Sequence, residues 1–592
     1  MTTIGIDLGT TNSLVAYMSA DGPVVIENEL GDKLTPSAVA IADDGAVLVG
    51  RAAKDRLVTA PGSGRAFFKR DMGTTTRYDF GKKSWTPTEL SALVLREMRR
   101  VAQARLGEDP TRAVITVPAY FHDPERQATV EAAKLAGLDV AAILNEPTAA
   151  ALAFGYRAGP ELRRLLVFDI GGGTFDVTVL EVYEGVIEVK ASGGDSRLGG
   201  EDYTDVVLGL FGTKLGSKLS KADLEKLRPM AEVAKRRLGV ATETTVEIAG
   251  RALSVSRREF ETGCAAITAK LRPVVARCLR DAGIQAAELD DVLLVGGASR
   301  MPLIHELVGA TFGRIGNGLV DPDLVVALGA AVRAAQTDGH DAVRELILTD
   351  VCAHSLGIDT SRELAPGHLE HGYYLPILDR NVPVPVSRSV PIQTLRPDQD
   401  VIRLGIYQGE SRRVSENTLL GELRVPGLRS RPGQRFPGAI EVRFTFDANG
   451  LLEIDVTVLE TGKAYSKLIE SRPGMLSPAQ RDEALRRLAP LKAHPRNMLV
   501  NRARLERAAR AYAELTGAAR DDLSGLIDRF EGALHSQDAE KIAFMGALLD
   551  QRLEGLFRGE DERQFDDRPP GNDELDAYRL QPPTDEPPPP PS

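Results

Sequence analysis

Val167–Glu181 reads VFDIGGGTFDVTVLE, and Gly5–Tyr17 reads GIDLGTTNSLVAY. Each is an apolar run that reaches an aspartate, turns through glycine and threonine, and leaves as a second apolar run. Glycine lets backbone N–H groups approach an anion closely, and threonine hydroxyls add donors at a strand end that fixes their register. An aspartate beside a phosphate is repelled unless a divalent cation stands between them, so Asp7, Asp169 and Asp176 imply Mg2+, held directly or through its water. Neither stretch is a P-loop, because no GxxxxGK[ST] enters a helix. Two such hairpins in one α/β region can grip a polyphosphate from both sides of a cleft. A third stretch, LLVGGASRMP, ends a strand at Gly296 and Gly297, where a nucleoside could approach and Arg300 could stack on its base.

At 592 residues the chain exceeds the ~100 to 200 residues of one domain, so several domains are expected. No window approaches the ~20 uncharged apolar residues of a membrane span, and the N-terminus reads directly into strand pattern without a secretory signal. A cytoplasmic location is expected. Cys264, Cys278 and Cys352 match no metal spacing and read as buried, inert thiols. The net charge of −11 is concentrated in the tail, where ten acids face three bases from Gly559 onward. The nearly neutral body gives no reason to expect nucleic acid or membrane as a partner.

Alternating strand and helix patterns fill residues 1–340. Strands are expected at 3–8, 13–18, 113–117, 165–169, 175–181 and 291–295, and helices at 87–106, 124–136, 147–155, 221–238, 257–282 and 322–336. Residues 341–350, within DAVRELILTDV, hold the apolar run Leu346, Ile347, Leu348 and then Asp350, which fits either an ordinary strand or a linker that docks and undocks. Residues 351–472 are β-like, with Ala448-Asn449-Gly450 marking a turn. Residues 473–558 read as amphipathic helices opened by Ser477-Pro478, and 559–592 as an acidic tail with a proline run, Pro587 to Pro591, too poor in apolar residues to fold.

The stretches IGIDLGTTNS, FFKR, VPAYFHDPER, NEPTAAALAFG, FDIGGGTFDVTVLE, LGGED, LVGGASRMP and ALGAAV, followed by SLGID, RNVPVPV, YQGES and FDANGLLEIDV, carry a resemblance. The chain resembles the DnaK-type seventy-kilodalton heat-shock chaperone family, specifically over residues 1 to about 470 and more loosely beyond, and is most similar to its HscC-like branch. The resemblance implies an α/β actin-like ATPase domain, of duplicated ribonuclease-H-like build, then an all-β sandwich that clamps extended apolar peptide, then a helical lid. It implies ATP or ADP with Mg2+, and K+ as a candidate second ion. Carried over by position, Gly9, Thr10, Thr11 and Asn12 hold phosphates together with Gly172, Gly173 and Thr174, and Asp7, Asp169 and Asp176 surround the metal. Lys69 contacts the γ-phosphate and the attacking water, and Glu146 helps position that water or the metal's shell. Glu232, Lys235 and Arg236 meet the nucleoside with Gly297, Ser299 and Asp323, and Arg236 and Arg300 sandwich the adenine. Hydrolysis at such a site needs charge stabilisation and an oriented water more than a strong base.

The resemblance also makes Leu346 to Asp350 the interdomain linker, with Pro118 and Arg126 as its relay to the nucleotide. The peptide pocket falls on Ile402, with Ile358, Ile392 and Leu404 around it and Ser361 and Leu395 in the arch above; ordinary sandwich core is the competing reading of these residues. Clients are unfolded or extended polypeptides, bound by a monomer, in general folding and stress response or in regulation. Departures from the family limit the transfer. Gly239 and Ala298 replace hydroxyl residues at the nucleoside, the segment Thr242 to Arg257 is too short for the long exchange-factor hairpin, and Ala142 stands where an arginine contacts J-domain proteins. Looser nucleotide binding, unaided ADP release and an altered J-domain surface are therefore expected. A small-molecule or sugar kinase and an actin-like filament protein are the alternatives, and neither has an evident use for the β region and the linker.

Overall fold

A computed structural model describes the chain outside residues 1, 157–160, 217–220, 249–250, 314–320, 345, 366–367, 395–398, 429–438, 448–450, 470–494, 496–498, 516 and 558–592. Leu395, the Ala448-Asn449-Gly450 turn, the Ser477-Pro478 helix start and the acidic tail lie outside the described residues. The chain divides into two compact units, Met1–Leu491 and Lys492–Ser592.

The quoted hairpins occupy matching places in two six-stranded sheets of the first unit. In one sheet, Ile4–Leu8 runs antiparallel to Asn12–Ser19 and parallel to Arg112–Val117, which is followed outward by Asp139–Asn145. In the other, Arg163–Ile170 runs antiparallel to Phe175–Tyr183 and parallel to Asp291–Val295. The run Leu165–Ile170 is buried throughout, as expected of strands covered on both faces. One cover is the helix Glu146–Gly155, every residue of which is buried. It packs so closely on the helix Val325–Thr337 that a Cβ on Gly329 would stand 1.7 Å from the Ala149 carbonyl oxygen.

Two sequence expectations change. The single helix expected at 257–282 is two, Arg257–Ala269 and Leu271–Ala282. Pro273 has no N–H for the Ala269 carbonyl and its ring crowds that oxygen, so the first helix ends before it. The helix expected from 322 starts at Val325, after a turn in which the Asp321 carbonyl accepts the Leu324 and Val325 N–H groups. Thr242 to Arg257 contains a short hairpin, Glu243–Ile248 against Arg251–Ser256.

The run after Glu345 is a strand, Ile347–Val351, next to last in the second sheet. It pairs in parallel with Val186–Asp195 and antiparallel with Pro383–Val384, so it belongs to the α/β sheet while touching the β region that follows. Leu346 and Leu348 pack against the α/β core, whereas Ile347 is 57% exposed, which is the alternation of any half-covered strand. Beyond it, two four-stranded antiparallel sheets face each other. Leu356–Ala365, His368–Leu378, Val401–Gln408 and Thr418–Pro426 form one, and Val386–Gln393, Ala439–Phe446, Leu452–Val458 and Ala464–Ile469 form the other. Alternate residues of both, such as Ile406, Val442 and Phe444, close a shared core.

The second unit contains the helices Leu499–Glu514, Gly517–Ser536 and Ala539–Phe557, whose apolar faces meet around Phe530, Leu534 and Leu549. Among the described residues, no helix is long and apolar enough to cross a membrane. Cys264, Cys278 and Cys352 are free and buried, and burial pushes each thiol up to about 12.

Candidate nucleotide site

The two hairpin turns meet. A Cβ on Gly172 would lie 2.0 Å from Thr11 Oγ1, and one on Gly9 would lie 2.1 Å from the Asn12 carbonyl oxygen. The close approach therefore requires glycine at both positions. Between the turns opens a cavity of about 460 Å³, lined by Gly9 to Asn12 on one side and Gly171, Gly172 and Thr174 on the other. Gly173 lies behind this wall, tucked against Thr10 and Arg70.

Acids form the floor. Asp7, Glu146 and Asp169 line the cavity, and Asp176 pairs across the hairpin from Asp169. Burial, and then the Glu146 charge, pushes the Asp7 carboxyl up to about 7 and Asp176 up to about 8, and the same two causes hold Asp169 well above the usual carboxylate range. Two donors hold these acids in place. Thr116 Oγ1 donates to Asp7 Oδ1 at 3.0 Å, and the Tyr120 N–H donates to Asp176 Oδ1 at 3.0 Å.

Lys69 is 3% exposed and reaches the floor through Glu146, donating from its Nζ to Glu146 Oε1 at 2.8 Å. Glu146 sits there because it opens the helix Glu146–Gly155, whose second residue is Pro147, a residue suited to a first turn. Among the described residues, no three His, Cys, Asp or Glu side chains converge closely enough to hold a metal ion directly. Three acids crowded against their own repulsion do suit a divalent cation carried in its water shell, and the site residues fit that form of Mg2+.

The other end of the cavity is set by Glu201, Glu232, Lys235, Arg236, Gly297, Arg300 and Asp323. Lys235 is tied down by the Gly200 carbonyl at 2.8 Å, Thr204 Oγ1 at 2.9 Å and Glu232 at 2.6 Å. Arg236 pairs with Glu232 and Arg300 with Asp323, so each is fixed by its own acid while lining the same cavity. Ser299 is buried and donates to the Gly296 carbonyl, which makes it a brace for the turn and takes it out of the cavity wall. Gly296 has φ +80 and no room for a Cβ, which would stand 2.5 Å from the Ile170 carbonyl oxygen. Sequence reasoning assigned no role to Thr116, Thr204 or Glu201: the two threonines are lone hydroxyls without a pattern, and Glu201, although within LGGED, was not singled out.

A polar chain runs from beside this floor to the strand Ile347–Val351. Arg126 donates to the Phe121 and Ala119 carbonyls at 3.0 Å each and to Asn145 Oδ1 at 2.6 Å. Asn145 Nδ2 donates to Asp350 Oδ2 at 3.0 Å, and Thr148 Oγ1 donates to the same oxygen at 3.1 Å. Burial raises the Asp350 carboxyl in spite of these donors. Pro118 opens the turn, its carbonyl accepting the Phe121 N–H. Farther along, Arg380 and Asn381 of the β region bond Asp281, and Asn381 Oδ1 accepts the Ser192 N–H. In the β region itself, Ile358, Ile402 and Leu404 are buried in the sandwich core, and Ile392 packs partly covered on its rim from the opposite sheet.

Two α/β sheets with matching hairpins that meet at a cavity, followed by a β sandwich, define a class of protein with a candidate polyphosphate-binding cleft and an appended β region. The Hsp70 protein family matches residues 3–79 and 74–551, and the chain belongs to that family. Its members are ATP-dependent chaperones: ATPases that bind ATP or ADP with Mg2+, and that work on unfolded clients with J-domain co-chaperones.

Proposed function

We propose that this chain hydrolyses ATP in an actin-like domain and uses the result to set how tightly its β sandwich holds an extended apolar peptide. The observation that carries the reading is the position of Asp350: the carboxylate of the linker strand is bonded by Asn145, the immediate neighbour of Glu146 in the cavity floor. In this reading, backbone N–H groups and hydroxyls of Thr10 to Asn12 and Gly172 to Thr174 bind the phosphates. Lys69 holds charge at the γ-phosphate, and Glu146, fixed by Lys69, orients the water. Mg2+, when bound, offsets the negative charge of the phosphates against Asp7, Asp169 and Asp176. Arg236 and Arg300 flank the base, and Arg126 and Pro118 relay to the linker.

The sandwich takes its peptide at Ile402, with Ile358, Ile392 and Leu404, and the helices of the second unit serve as a lid. Kinase and filament readings lose support because the family match continues through the β sheets and helices. Release of a labelled apolar peptide from the full chain, timed in ADP and after ATP addition, tests the proposal. Faster release with ATP is expected; equal rates would remove the coupling.

A further inference from the structure

The turn Ala119–His122 of the α/β region and the segment Cys352–Ser355 of the β region meet in a stack of rings. His122 and His354 lie face to face, with centroids 4.1 Å apart and planes 17° apart, and the Tyr120 ring stands 4.3 Å from His354. Hydrogen bonds fix the protons of both imidazoles. His354 Nε2 lies 3.3 Å from the Tyr120 carbonyl oxygen, which can only accept. His122 Nδ1 lies 3.2 Å from Gln408 Oε1, an oxygen that also accepts the Asp123 N–H. Each ring therefore donates from one nitrogen, and a stack of two neutral rings fits this geometry. Tyr120 links this stack to the acids of the floor: its N–H donates to Asp176 and its carbonyl accepts from His354.

We propose that the His122–His354 stack is a proton-sensitive contact that holds the β region on the α/β region only while both rings are neutral, with His354 acting as a positioning residue for Tyr120 and, through it, Asp176. A second proton on one ring sets a cation against an imidazole face that is 2% exposed in His354; protons on both set like charges about 4 Å apart. The surroundings favour neutrality. Burial lowers His354 well below 6.5, helped by His122, Arg126 and Arg277; burial also lowers His122, against the pull of Gln408 and Glu410. Glu410 is engaged by Ser355 and Arg380, and Cys352 is a neutral thiol. Two acids near Arg126 act with the opposite sign, since burial raises both Asp350 and Asp123, the latter to about 6.

The sign follows. A histidine depressed in the joined state must shed its proton for the regions to join, so joining is complete above the free value of 6.5 and is lost as pH falls below it. One ring gives up to about tenfold in the joining constant per pH unit, and Asp123 subtracts from this below about pH 6.

The proposal rests on the proposed function, extended by taking ATP to favour the joined form, so the test has two readouts on the full chain with saturating Mg2+ and ATP, from about pH 8 to about pH 5.5. X-ray scattering reports separation, and ATP-stimulated peptide release reports coupling. In the unaltered chain the radius of gyration is expected to rise, and the stimulation to fall, below about pH 6.5. His122→Asn alone, at a half-buried position, should blunt both changes, and His122→Asn with His354→Asn should flatten them. A scattering profile flat with pH, or variants whose profiles track the unaltered chain, would overturn the proposal. Absence of ATP stimulation at pH 8 together with a pH-dependent separation would support the contact and sink only the coupling reading.

Discussion

Thr148→Val deletes one hydroxyl from the Asp350 lock and leaves the shape of a fully buried side chain. Thr148 is 1% exposed and its Oγ1 donates to Asp350 Oδ2 at 3.1 Å. A hydrogen bond to a charged group contributes about 1.5–3 kcal/mol. Asp350 keeps the Asn145 Nδ2 donor and the Val351 N–H, so the loss is one bond among three. When the linker strand is free, the carboxylate is hydrated and the substitution costs nothing there, so the whole difference falls on the docked form. The docking constant should drop about 10- to 150-fold. Hydrogen exchange reads this directly, because the Ile347 N–H is bonded to the Gly185 carbonyl only while the strand is docked. Protection of the Ile347–Val351 amides, measured with ATP present, should fall by that factor while the amides of Arg163–Ile170 keep theirs. Protection unchanged within about twofold, in a variant that still binds nucleotide, would refute the lock.

Gly296→Ala forces a side chain onto φ +80 and against the Ile170 carbonyl, so nucleotide affinity should weaken at least about tenfold by calorimetry. Without a cation, the Asp7 and Asp176 carboxyls, raised from 3.8 to about 7 and about 8, are partly protonated at neutral pH. Their contribution to stability is present below 3.8 and lost as pH rises through 7 to 8; Mg2+ with ADP should ionise them and release protons, so binding heats should differ between buffers of low and high ionisation enthalpy. Ile402→Ala removes a side chain 7% exposed from the sandwich core and should cost about 2–4 kcal/mol in urea unfolding of that region, with weaker peptide binding. An unchanged unfolding midpoint would count against its burial.

That the two hairpins belong together was legible because their parts repeat: an acid, a glycine and a threonine occur in register at Asp7 to Thr11 and again at Asp169 to Thr174, and the two turns do meet at one cavity. Leu346 to Leu348 were legible only as apolar, because period-2 burial looks the same in a linker and in a strand; that the run pairs with Val186–Asp195, more than 150 residues upstream, was not readable from the sequence. The helix Gly200–Leu215 escaped notice since three glycines in GEDYTDVVLGLFGTKL lower its propensity, and packing of Tyr203, Val207 and Phe211 overrides that. Ser299 was assigned to the nucleoside from its place in LVGGASRMP, although a serine hydroxyl beside a glycine carbonyl closes the turn more readily than it reaches outward. The facing rings of His122 and His354 carry no sequence signal at all, because the two residues are far apart in the chain and isolated within their segments.

In the proposed reading, one peptide unit ties the cavity to the linker. Asn145 and Glu146 are consecutive at the start of a helix buried on all sides and pinned at Gly329. Glu146 is held by Lys69 within the floor, whereas Asn145 is held by Arg126 and holds Asp350. In that reading, a phosphate that draws Lys69 away from Glu146 shifts the first residue of a helix that is tightly packed on the faces turned away from the cavity. The displacement passes to Asn145, whose two side-chain bonds have lengths of 2.6 and 3.0 Å and little slack. Coupling of this kind needs no long pathway: nucleotide and linker compete for the geometry of one helix terminus, and Asn145→Ala should therefore uncouple them while leaving the Lys69–Glu146 pair intact. Peptide release that still accelerates fully with ATP in that variant would place the coupling elsewhere, on the Tyr120–His354 contact.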